Sequence, residues 1–156
     1  MQIDDKTLNK KIISGIGIQE TKRLFSYPEC ELEYDFLGFL NSYADLPEQI
    51  PHDWTLIDFG CYQAFQGYLF RNYAKYIGVD CGIFNAWRLR QDNAEYHECT
   101  IQDFIAEHLH ELNPEKTFAV CSYVPDEQAR KMVRSIFPYF RDKYCNEIYE
   151  NLPERK

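Results

Sequence analysis

No stretch of the chain holds the roughly 20 consecutive apolar residues that a membrane-spanning helix needs. The opening Met1-Gln2-Ile3-Asp4-Asp5 lacks the basic-then-apolar layout of a secretory signal, so a soluble cytoplasmic chain is the expectation. Positive charge is scarce: 17 Lys and Arg stand against 25 Asp and Glu, a formal charge of -8. Nucleic-acid binding driven by bulk charge is thereby disfavoured, because neutralising phosphates requires a basic face. None of the cysteines at Cys30, Cys61, Cys81, Cys99, Cys121 and Cys145 forms a CxxC pair, and they read as free thiols in a reducing compartment. The chain also lacks internal repeats, low-complexity tracts, a G-x-S-x-G elbow and an H-E-x-x-H string. Gly15-Ile16-Gly17 is no phosphate loop, because no strand feeds it and no third glycine follows.

What remains is enough for one domain. The 156 residues are 45% hydrophobic and include 12 Tyr, 11 Phe and 2 Trp, so a substantial core can be buried. The organisation changes near Pro51. Residues 1–50 form a helical segment in this reading. Ser26 and Glu29 make a capping box, Leu32, Phe36, Phe39, Leu40 and Tyr43 recur at helical spacing, and Leu46-Pro47 closes the helix.

From residue 51 to 156 short apolar runs alternate with helical patterns. Strands are predicted at 54–58, 76–80, 94–99 and 117–121, with a weaker fifth at 146–150. Helices are predicted at 65–74, at 84–91, from Thr100 to Leu112, and from Pro125 to Phe137. Serial βα units build a mostly parallel sheet with helices on both faces. Ligands of such sheets sit at the carboxyl ends of the strands, where the strand order reverses. The loops at that edge are 60–64, 80–82, 100–104 and 121–125. None of His52, His97, His108 and His110 falls in them, so acid–base chemistry has little support.

Those loops carry a resemblance. Leu56-Ile57-Asp58-Phe59-Gly60-Cys61-Tyr62-Gln63-Ala64 resembles the first motif of class I S-adenosylmethionine-dependent methyltransferases, hh-D-x-G-x-G-x-G/A. Tyr76-Ile77-Gly78-Val79-Asp80 resembles the second, an apolar strand ending in an acid. Ile101-Gln102-Asp103-Phe104 is similar to the loop that flanks the adenine, and Cys121-Ser122-Tyr123-Val124-Pro125 stands where the fourth motif lies. The resemblance spans residues 54 to 140 and rests on order and spacing. It implies a Rossmann-like α/β fold of about five strands in the order 3-2-1-4-5, with the family's C-terminal hairpin short or missing. It also implies S-adenosylmethionine as cofactor, held by Asp58, Gly60, Cys61, Tyr62, Ala64, Asp80, Cys81, Asp103, Phe104 and Cys121. Asp80 would take the ribose hydroxyls, and Asp103 the adenine amino group, with Phe104 or Ile83 as an apolar wall. The methyl acceptor would be a small molecule or a protein.

The departures from the family pattern are Tyr62 at the middle glycine place, Ala64 at the last, and the absence of an N/D-P-P-Y/F string, which disfavours amino-methylation of DNA. No catalytic base is assigned; Tyr62, Tyr123 and Asp126 lie in the right region. NAD is the competing ligand for such a fold, but Tyr62 interrupts the G-x-G-x-x-G pattern and Asp58 would stand close to a pyrophosphate. A zinc site shared by Cys61, Cys81, Cys99 and Cys121 is rejected because the positions span three strand spacings of about 4.8 Å. The alternative function is a non-catalytic protein of the same fold that binds or assembles, and clustered exposed aromatics could mark a homodimer face.

Overall fold

Residues 55–59 are the centre of the structure because nearly everything in them prefers burial. A computed structural model of the protein describes residues 42–62, 64–82 and 92–154. In it Thr55–Phe59 forms strand β1, buried from Leu56 onward and flanked on both sides by parallel neighbours. β2 (Lys75–Asp80) lies on one side and β4 (Thr117–Ser122) on the other. β3 (Ala94–Glu98) pairs with β2 at one edge. β5 (Phe140–Tyr144) runs parallel to β4, and β6 (Glu147–Asn151) closes the other edge antiparallel to β5. The sheet thus has six strands in the order 3-2-1-4-5-6.

The register divides the core into two layers. Leu56 aligns with Tyr76 and Phe118, and these face a layer built by Tyr43, Leu46, Ile50, Leu69, Phe70 and Tyr73. That layer is carried by two 3-10 segments, Leu46–Glu48 and Phe65–Phe70. Ile57 aligns with Ile77 and Ala119 and faces the opposite layer, where helices α1 (Ile101–His108) and α2 (Glu127–Ile136) pack. Phe104, Val133 and Phe137 are at most 1% exposed there. Each such apolar side chain withdrawn from water contributes roughly 1.5–3 kcal/mol.

Both helices begin on a side-chain cap. The Thr100 hydroxyl accepts from the Asp103 N–H at 3.0 Å, and the Asp126 carboxylate from the Ala129 N–H at 3.1 Å. These bonds satisfy N–H groups that have no partner within the helix. α1 ends at His108 and continues as one 3-10 turn, Leu109–Glu111, so the predicted helix to Leu112 is tightened at its end. Likewise the segment predicted as a helix over 65–74 is a six-residue 3-10 helix. The predicted helices over 26–46 and 84–91 lie largely or wholly outside the described residues.

The carboxyl-terminal expectation is corrected. The hairpin is present, and the run at 146–150 is the sixth strand rather than the fifth. β5 escaped notice because Arg141-Asp142-Lys143 gives it no apolar pattern. Tertiary partners replace that pattern. Arg141 donates to Asp45 at 2.7 and 3.0 Å and to Glu150 at 2.8 Å, while buried Asp142 receives Arg134 at 2.7 Å with Arg130 at 3.6 Å. A two-residue turn, Cys145-Asn146, joins the strands, with Cys145 left-handed at φ 54°. No helix among the described residues is long and apolar enough to cross a membrane.

Candidate functional site

The chain leaves β1 through a turn that repeatedly enters left-handed backbone. Gly60, Tyr62 and Ala64 have φ of 74°, 53° and 63°. Only glycine adopts such angles without cost; a non-glycine residue held there costs about 1–3 kcal/mol and persists only where its surroundings enforce it. The surroundings do so here. The N–H groups of Gly60 and Cys61 both donate to the Val79 carbonyl, at 2.7 and 3.1 Å. The Tyr62 N–H donates to Asp80 Oδ2 at 3.0 Å, and Ala64 N–H to the Cys61 carbonyl at 2.9 Å. Gly60 is required on a second ground: a Cβ there would stand 2.9 Å from Val124 Cγ2, so the tips of β1 and β4 could not approach.

Asp80 ties the β1 and β2 loops together. Its Oδ2 takes the Tyr62 N–H and its Oδ1 takes the Gly82 N–H at 3.0 Å. A carboxylate has about four lone-pair sites, so each oxygen retains capacity for a further donor. At the β4 tip Tyr123 is also left-handed, at φ 58°, held by a 2.7 Å bond from its N–H to the Lys143 carbonyl, and the residue is 44% exposed.

These tips enclose a cleft of about 470 Å³ at the carboxyl ends of β1 to β4, spanning the point where the strand order reverses. Of the ten residues expected to hold a cofactor, Gly60, Tyr62, Asp80 and Cys81 line it. Val79, Thr100, Ile101, Val124, Pro125 and Ala129 supply much of its wall, and Asp126 adds a second carboxylate. Among the described residues that line it, none is Lys, Arg or His. The 100–104 and 121–125 loops were legible as sheet-edge loops. Ala129 was not, because its place in the wall comes from the way α2 docks.

The other six expected residues lie elsewhere. Asp58 is fully buried and faces the Tyr43 layer. Tyr43 donates to its Oδ1 at 2.7 Å, while Tyr76 and Gln66 Nε2 donate to Oδ2 at 2.6 and 2.8 Å. Burial pushes its carboxyl from 3.8 up to about 6: the three donors pull the other way but do not compensate, and the charge of Asp80 adds to the rise. Cys61 and Cys121 are buried, and burial holds both thiols well above their ordinary range, so neither is a ready nucleophile. Ala64 is buried in the same layer as Tyr43. Phe104 is buried against Phe59, at 5.7 Å between ring centres, and Asp103 is exposed in the first turn of α1, where its charge suits the helix dipole. Neither lines the cleft. Ile83 lies outside the described residues.

A wider groove, about 1110 Å³, opens at the opposite edge beside Pro47, Trp54, Tyr139 and Leu152. It sits where strands begin and carries none of the strained backbone positions. Among the described residues no three His, Cys, Asp or Glu side chains are arranged to hold a metal ion. No family model matches the chain, and no curated protein is significantly similar to it.

Proposed function

We propose that the cleft binds S-adenosylmethionine and that the chain is a Rossmann-like, methyltransferase-like protein acting on a small-molecule or protein acceptor. The observation that carries this reading is the charge of the cleft: two carboxylates, Asp80 and Asp126, in an otherwise largely apolar wall with no cation among the described lining residues. Such a wall suits a cationic ligand with an apolar body and opposes a pyrophosphate. Backbone geometry supports it further. The three positions that the resemblance assigns to glycine or alanine, 60, 62 and 64, all adopt the left-handed conformation that glycine serves. Tyr62 therefore keeps the turn that a glycine would make, while its side chain becomes part of the wall.

Asp80 is the residue to hold the ribose hydroxyls, since both of its oxygens keep a lone pair after taking Tyr62 and Gly82. Ile101 and Val124 offer apolar contact for a nucleoside base. Asp58 acts from beneath, packing β1 against β2 through Tyr76 without reaching the ligand. When bound, the sulfonium group supplies an already activated methyl, so the protein's task is chiefly to align an acceptor.

A second reading, binding without catalysis, is favoured by one observation: among the described residues no histidine or lysine lines the cleft to take a proton from an acceptor. Calorimetry and thermal shift with S-adenosylmethionine, S-adenosylhomocysteine and NAD test the ligand. The first two should stabilise the protein, by about 2.7 kcal/mol at a hundredfold excess over Kd, and NAD should not. Asp80→Ala should weaken binding at least tenfold. Stabilisation by NAD alone, or no binding at millimolar S-adenosylmethionine, overturns the reading. Binding without turnover of any acceptor supports the second.

A further inference from the structure

Cys81 and Cys99 stand side by side at the tips of β2 and β3. The last register pair of those strands is Asp80 with Glu98, and each cysteine is the next residue. The Cys99 N–H still donates to the Asp80 carbonyl at 3.0 Å, so the strands hold ladder spacing up to the two thiols. Neighbouring strands lie about 4.8 Å apart. That separation falls inside the roughly 4.4–6.8 Å between Cα atoms that a disulfide spans. Aligned residues of adjacent strands project to the same side, and both cysteines line the one cleft. Both thiols are free, Cys81 exposed and Cys99 half-buried.

The other described cysteines have no such neighbour. Cys61 and Cys121 are buried on opposite sides of the sheet, and Cys145 sits in the hairpin turn at the far edge. Burial, then the charges of Glu107 and Asp103, then the Cys81 thiol itself, push the Cys99 thiol up. Cys81 is exposed at the rim while Cys99 is half-buried, so Cys81 is the group that an external disulfide meets first.

We infer that Cys81 and Cys99 form a redox-active dithiol, which a small-molecule disulfide such as glutathione disulfide converts into an intramolecular bond within the wall of the cleft. The Cys81 thiolate attacks one sulfur of the glutathione disulfide and expels glutathione thiolate. Cys99, deprotonated as it reacts, then attacks the Cys81 sulfur of the mixed disulfide and expels the second glutathione. Two protein thiols are oxidised, one glutathione disulfide is reduced to two glutathiones, and each protein proton passes to a glutathione thiolate. The new bond would fasten the residue after Asp80 to the residue before the Thr100 cap of α1, stiffening one side of the cleft. Its formation does not depend on which ligand the cleft takes.

The test uses the full chain under native conditions with glutathione disulfide, thiol blocking by N-ethylmaleimide, and a non-reducing tryptic digest. Cleavage after Lys75, Arg88, Arg90 and Lys116 puts the two cysteines on separate peptides, Tyr76–Arg88 and Gln91–Lys116. These should appear joined, two hydrogens lighter than their sum, and dithiothreitol should release them. In Cys99→Ser, Cys81 should instead retain glutathione, because nothing resolves the mixed disulfide. In Cys145→Ser the linked pair should form as in the wild type. Recovery of the two wild-type peptides unlinked, with or without glutathione attached, overturns the inference. So does a bond from Cys81 to any cysteine other than Cys99.

Discussion

Asp58→Asn offers the sharpest quantitative test of how the sheet is built. The Asp58 carboxyl is fully buried, and its value rises from 3.8 to about 6 because lost hydration outweighs the donors Tyr76, Tyr43 and Gln66. A folded-state value above the unfolded one means that the native protein binds this proton more tightly. The group's contribution to stability is then full below about pH 4 and is lost as pH rises through 6. At about 1.4 kcal/mol for each pH interval between the two values, ionised Asp58 costs the native state about 3 kcal/mol at neutral pH. Asparagine has nearly the same shape and no charge to lose. Its oxygen can accept from Tyr76 and Gln66, and its amide can donate to the Tyr43 hydroxyl, which both donates and accepts. Whatever constant the extra N–H contributes does not change with pH, so the difference between the two stability curves isolates the carboxyl. Urea unfolding followed by tryptophan fluorescence at pH 4, 5, 6 and 7 measures it. Trp54 packs on Tyr139, 5.1 Å between ring centres, and reports the transition. The wild type should lose about 2.4 kcal/mol relative to Asp58→Asn between pH 4 and 7, the rest of the effect lying below pH 4. A flat difference would show that the three donors fully offset burial, and a difference of opposite slope would show that they exceed it. Either result refutes the balance argued here.

Two further outcomes follow from close contacts. Gly60→Ala should destabilise the protein by about 1–3 kcal/mol, since it combines a φ of 74° with a 2.9 Å approach to Val124 Cγ2. Val124→Ala in the same chain should recover the steric part, visible as a coupling in a double-mutant cycle; purely additive effects would contradict the contact. Asp142→Ala strips the buried partner from Arg130 and Arg134 and should cost about 3–5 kcal/mol by chemical denaturation, whereas a loss under 1 kcal/mol would mean that the arginines reach water instead.

The strands around β1 were legible because a strand covered on both faces reads as a run of apolar residues. The predicted positions of β1 to β4 agree with the observed ones to within a residue or two at either end. β5 was not legible, because Arg141-Asp142-Lys143 is stabilised by Asp45, Glu150, Arg130 and Arg134, which lie elsewhere in the chain. The site divides in the same way. Its loops follow from the rule that ligands meet parallel sheets at the carboxyl edge. The cluster of left-handed residues at 60, 62, 64 and 123 does not follow from residue type, since three of the four are not glycine.

By itself the sequence determined the alternation of strands and helices, the loops that share one edge of the sheet, and the shortage of positive charge. Packing decided which of the two motif acids meets the cleft. Leu56 and Asp58 alternate with Ile57 and Phe59 on β1, and both faces of that strand are apolar, so nothing local says which way the carboxylate turns. Tyr43, Gln66 and Tyr76, brought together from three segments, bind Asp58 beneath the sheet edge. Asp80 ends its strand, where the backbone opens, and its carboxylate stays at the cleft wall.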